Sequence, residues 1–174
     1  MTEVTLSNVA AGLALLLAVA VTLWGRYEWQ RRCEAARIVK AINGEDEAEL
    51  SLLLAVSTDF KSVAEWFGEP ALIMALKSLP VGSDTAGFAE KAVILLVSRG
   101  ADVNEPGTEW KTALMHAAAR GHWGLCALLL SRGADVKAHD MFGRTAACWA
   151  QFGGHERVAS SLRKAERLEL DAPL

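Results

Sequence analysis

The apolar positions of this chain follow two regimes. Residues 4–24, opening at Val4 and closing at Trp24, are 21 positions without a charge, and residues 10–23 are almost wholly Ala, Leu and Val. Coiled as a helix, that run spans roughly 31 Å at about 1.5 Å per residue, close to the thickness of a bilayer's hydrocarbon core. Farther along, apolar residues come in short bursts at helical spacing, broken by Gly, Asp and Asn. Residues 112–119 read as a short apolar helix that turns at Arg120-Gly121-His122. Residues 123–131 place Leu125, Leu128 and Leu129 at helical spacing, so a second, antiparallel helix is predicted there. Gly133 stands where a helix ends in a left-handed residue, which glycine adopts without steric cost. Residues 156–170 alternate Val158, Leu162 and Ala165 with Arg157, Arg163, Lys164, Glu166 and Arg167, the pattern of a terminal cap with a polar outer face. The predicted fold is all-α.

The bursts repeat. Ser98-Arg-Gly-Ala-Asp-Val-Asn104 recurs as Ser131-Arg-Gly-Ala-Asp-Val-Lys137, an offset of 33 that also carries Thr112 onto Thr145, Ala113 onto Ala146, Gly121 onto Gly154 and His122 onto His155. A fixed period of this length means one helix–turn–helix–loop unit per repeat, each completing its neighbour's core. Trp110-Lys-Thr-Ala-Leu-Met-His-Ala-Ala118, followed by Gly121-His122, Leu128-Leu129-Leu130 and Gly133-Ala-Asp-Val136, resembles the ankyrin repeat. The next unit shows the same marks in Gly143-Arg-Thr-Ala-Ala-Cys-Trp-Ala150 and Gly154-His155. An earlier, looser unit starts at Glu69-Pro-Ala-Leu-Ile-Met-Ala75, and its offset of 42 to the following unit implies about nine extra residues around 79–88. The resemblance implies an ankyrin solenoid over residues 34–170, with a degenerate cap at about 34–66 and repeats at about 67–106, 107–139 and 140–170. Two departures stand out. Proline is missing after Thr112 and Thr145, and Trp110 replaces the usual glycine of the hairpin tip, so that tip is expected to depart from its usual shape.

Charge orients the N-terminal run, read as a transmembrane anchor over residues 1–25 ahead of a basic juxtamembrane helix at 26–43. Trp24, Tyr27 and Trp29 form an aromatic belt at its C-terminal end, followed by Arg26, Arg31, Arg32, Arg37 and Lys40, whereas Glu3 marks the other flank. The positive-inside rule then places the N-terminus outside and the repeats in the cytoplasm. The reverse orientation stays open, as does a signal peptide cleaved near Ala18-Val19-Ala20, although Glu3 stands where such a peptide carries basic residues. The small residues Ala10, Ala11, Gly12, Ala14 and Ala18 would let the anchor pack against helices of other membrane subunits.

Composition narrows the function. A net charge of −3 supplies no cationic field for a phosphate backbone, so no nucleic-acid partner is expected. Cys33, Cys126 and Cys148 form no framework or metal-ligand spacing and read as reduced thiols. No nucleophile, base and oxyanion donor converge, so neither an enzyme nor a cofactor is expected. His122 and His155 fall on the family's loop-bracing position, His116 on a variable position of an inner helix, and His139 beside Asp140. The ankyrin resemblance implies a protein partner gripped by hairpin tips and the inner-helix groove. Those places are Thr108, Glu109, Lys111, Arg120, Met141, Phe142, Arg144, Trp149 and Phe152, with Met141, Phe142 and Phe152 as the apolar anchors. The expected function is a membrane-tethered interaction module. An accessory subunit of a larger membrane complex and an envelope-side binder that protects or neutralises another protein are the alternatives.

Overall fold

The structure, a computed structural model, describes residues 2–43, 47–56, 64, 67–78 and 87–170. Its helices are α1 (Thr2–Asn43), α2 (Glu47–Val56), α3 (Ala71–Lys77), α4 (Phe88–Ser98), α5 (Ala113–Ala119), α6 (Trp123–Ser131), α7 (Ala146–Phe152) and α8 (Glu156–Leu170), with a short 3₁₀ turn at Thr108–Trp110. Helix is thus the regular structure of the described residues, as the periodicity predicts. The insertion expected around 79–88 lies largely outside them.

Short inner helices stack side by side: α3 on α5 and α5 on α7. Alanine makes this possible. The buried face of α5 is Ala113, Leu114, Met115, Ala117 and Ala118, and that of α7 is Ala146, Ala147 and Ala150, so neighbouring backbones approach closely. The outer helices supply bulk from Leu96, Leu125, Leu129 and Leu162, and one core runs from Ala35 in α1 to Leu162 in α8. At Gly133 (φ +84°) the predicted left-handed stop is realised: Gly133 N–H donates to Leu130 O and Ala134 N–H to Leu129 O, closing α6.

Polar ties stitch each unit to the next. Asn104 donates through Nδ2 to Gly133 O at 2.9 Å and accepts from Asp135 N–H at 2.8 Å. In the next unit Lys137 occupies the equivalent position and has no side-chain amide to make the same pair of bonds. Arg132 donates to Val97 O at 3.1 Å, and Arg99 makes the same kind of reach to Leu54 O in α2. The last third of α1 buries Ala35, Ile38, Val39, Ala41 and Ile42 against α2 and α3, so α1 and α2 extend the stack by a further helical pair.

α1 runs unbroken through both the apolar run and this packed segment. From residue 20 to residue 27 every side chain is exposed, Val21, Leu23, Trp24 and Tyr27 among them. Among the residues whose side chains are described, no helix is long and apolar enough to cross a membrane. The span expected at residues 4–24 lies outside that set as far as residue 19.

Candidate partner-binding surface

Two loops lead into the inner helices α5 and α7, and their tips are joined by Met141 N–H donating to Glu109 O at 3.1 Å. In each, the first residue of the tip donates its N–H to the carbonyl four residues on: Gly107 to Lys111 at 2.9 Å, and Asp140 to Arg144 at 3.1 Å. From there the two are built differently.

The second tip is organised by Asp140, whose side chain is fully buried. Its carboxylate accepts from the N–H groups of Phe142 and Arg144, each at 2.9 Å, from Arg144 Nε at 2.9 Å and from Trp149 Nε1 at 3.1 Å. Burial pushes its pKa upward, but the two backbone donors and the Arg144 guanidinium outweigh that and hold it below the ordinary 3.8. Fixed in this way, the Arg144 guanidinium sits 4.3 Å from the Trp149 ring centre, 4.4 Å from Phe142 and 5.8 Å from Phe152. Lys111 Nζ approaches the Trp149 ring at 4.2 Å, and Trp149 meets Phe152 edge-on at 6.1 Å. Cations and aromatic faces attract one another through the ring quadrupole, so the cluster locks itself in register. Phe142, Phe152 and Met141 remain exposed on top of it.

The first tip has Gly107 where the second has Asp140. A Cβ there would come within 2.7 Å of Ile73 Cδ1, so any side chain at that position would require the buried Ile73 to shift. Glu69 substitutes from α3's N-terminal side, accepting from Thr108 Oγ1 at 2.6 Å and from Lys77, while Glu109 pairs with Lys111 at 2.6 Å. Glu69 is raised by burial but held below its ordinary value by Lys77 and Thr108, and Glu109 is lowered by Lys111. Trp110 (φ 60°) keeps the left-handed backbone of its equivalent Gly143 (φ 73°), so the departure expected at Trp110 falls instead on Glu109 (φ 59°), which is left-handed where Phe142 is not. A bulky residue in that left-handed backbone is strained by about 1–2 kcal/mol, and the Trp110 ring is 70% exposed.

His116 lies on α5 at the position that Trp149 occupies on α7. Burial first, then Lys77 and Arg120, drive its pKa down to about 4 against the opposing pull of Glu69, and its Nε2 is buried without a hydrogen-bond partner. Arg120 donates to Lys77 O at 2.8 Å. His155 packs its ring over Gly121 and Gly153, in keeping with a bracing role, and Asp140's commitment to the tip leaves no acid–base pair with His139.

The nine residues predicted from the sequence therefore fall into two groups. Met141, Phe142 and Phe152 are uncovered, while Arg144, Trp149, Lys111, Thr108, Glu109 and Arg120 brace the tips and the inner helices from beneath or beside. Sequence reasoning missed Asp140, Glu69 and Lys77 as organisers of this surface. The signal for Asp140 was its 33-residue counterpart, a glycine. No curated protein matches the chain. A family model described as ankyrin repeats, in three copies, matches residues 85–171, half of the chain.

Proposed function

We propose that this chain, which belongs to the ankyrin-repeat family, is a membrane-tethered interaction module whose second hairpin tip and inner-helix face grip a partner protein. Ankyrin repeats generally mediate protein–protein interaction and are typically non-enzymatic. The observation that carries the reading is the apolar trio Met141, Phe142 and Phe152, left in solvent above a tip that Asp140 and Arg144 hold rigid. Pre-organised aromatic groups lose little freedom on binding and gain most when a partner excludes water.

The tether is supported by the uncharged run of residues 4–24 and by the exposed apolar side chains of Val21, Leu23 and Trp24 at its end. The aromatic and basic residues that follow favour the repeats on the cytoplasmic side. Anchoring raises the local concentration of the face, so a modest intrinsic affinity suffices for recruitment.

A pull-down with the full chain, repeated with Phe142→Ser and Phe152→Ser, tests the face: capture is expected to fall, and unchanged capture refutes it. Alkaline extraction of membranes, with impermeant-reagent labelling of a cysteine engineered near His139, tests the tether and its side. Release of the chain into the soluble fraction would remove the anchor from the reading.

A further inference from the structure

The inner-helix face carries a charge that the composition hides. The chain as a whole is net −3. On this face, however, carboxylates lie beneath their cations. Asp140 is fully buried while its partner Arg144 keeps 29% of its side chain exposed; Glu69 keeps 14% while Lys77 keeps 41%. Each acid thus balances a cation from below and leaves the cation nearer the solvent. Arg120 reaches across to the Lys77 carbonyl, which sets a guanidinium beside that ammonium-bearing residue. At the first tip the order is reversed, since Glu109 is 48% exposed against 20% for Lys111, so the acid there stands at the rim. At His116 burial first, then Lys77, Arg120 and Lys111, disfavour the proton against the opposing pull of Glu69, so the cations outnumber the acid there.

Resting on the reading of this face as the binding surface, we propose that its occupant is an acidic segment of a partner protein, with a bulky apolar side chain flanked by carboxylates. The apolar group seats against Phe142 and Phe152, and the carboxylates pair with Arg144, Arg120 and Lys77. Charge complementarity selects this chemistry. A basic segment meets like charge, and a neutral one strips water from the cations without replacing it. The inner face of Phe142 is already occupied by Arg144, which leaves its outer face a better surface for an apolar group than for a second cation.

The test uses the full chain in detergent micelles and three short labelled peptides sharing one central phenylalanine, flanked by Asp and Glu, by Asn and Gln, or by Lys and Arg. Binding is read by fluorescence anisotropy and by the Trp149 indole N–H resonance. The acidic peptide should bind at least about tenfold more tightly than the neutral one, and weaken several-fold between about 0.05 and 0.3 M salt. Lys77→Gln and Arg120→Gln, read separately so that a folding defect in one leaves the other, should each weaken the acidic peptide more than the neutral one and so reduce that preference. Phe142→Ser should weaken both. Equal or tighter binding of the neutral or basic peptide, with Trp149 shifted, overturns the acidic assignment and leaves the face standing. No shift at Trp149 with any peptide overturns both.

Discussion

Replacing Asp140 by alanine removes the acceptor on which four donors converge: the N–H groups of Phe142 and Arg144, Arg144 Nε and Trp149 Nε1. A hydrogen bond to a charged group is worth about 1.5 kcal/mol at the low end, so four sum to about 6 kcal/mol. The tip is at the surface, and water will reach the backbone donors and the guanidinium once the carboxylate is gone. Halving the sum for that rescue leaves about 3 kcal/mol, the lower end of the cost of breaking a buried ion pair from one side. At about 3 °C per kcal/mol for a chain of this size, the melting temperature should fall by about 9 °C. The measurement is thermal and urea unfolding of the full chain in mild detergent, followed by tryptophan fluorescence, because Trp149 reports the site itself. Asp140→Asn refines it. The amide oxygen can still accept from the two backbone groups, but its NH₂ then faces Arg144 Nε and Trp149 Nε1, donor against donor, so at least half of the loss should remain. A loss below about 0.5 kcal/mol in both variants, within the range of ordinary surface changes, would refute Asp140 as the organiser of the tip.

Acid should destabilise the stack in two stages. An unfolded histidine protonates near 6.5 but His116 only near 4, so the unfolded chain binds the extra proton between those values. The contribution is complete above pH 6.5, and about 3 kcal/mol is lost by pH 4, a slope that His116→Gln should flatten in urea titrations. Glu69 and Asp140, held below their ordinary 4.5 and 3.8, add a further loss as pH falls below those values, seen as a second drop that His116→Gln leaves in place. Gly143→Ala should cost about 1 kcal/mol by chemical denaturation through backbone strain alone, since φ is +73° and nothing lies within 4 Å of the added Cβ. Gly153→Ala should cost about 2–3 kcal/mol for the opposite reason: its backbone is ordinary, but the Cβ would collide with the Ala119 carbonyl of the neighbouring inner helix.

The helices were legible because periodic burial dictates them. The expected bounds 123–131 and 156–170 coincide with α6 and α8, and the short inner helix at 112–119 differs only in that Thr112 stands at the N-cap position, just outside it. Apolar spacing and a left-handed glycine are properties of one stretch of chain, so they can be read from that stretch alone. The candidate face was legible only as a set of places. Its exposed members followed from the repeat register, but the role of Asp140 depends on donors arriving from Phe142, Arg144 and Trp149 at once. Glu69 was hidden for a different reason. It acts across 39 positions on Thr108, and no local pattern records a contact between residues so far apart in the chain. The Trp110 substitution was visible as a missing glycine, whereas the left-handed strain it carries required the backbone.

The unbroken course of α1 changes what kind of tether this would be. A flexible linker works as a leash, letting a domain tumble and meet partners from any side. Here the segment that would enter the bilayer and the segment buried against α3 are one rod, so the proposed anchor is a mast. With Trp24 at the interface, Ala35 stands about 16 Å along the rod from it, at about 1.5 Å per residue, and the stacked repeats inherit that height and heading. Such a mast would select partners by elevation as well as by chemistry.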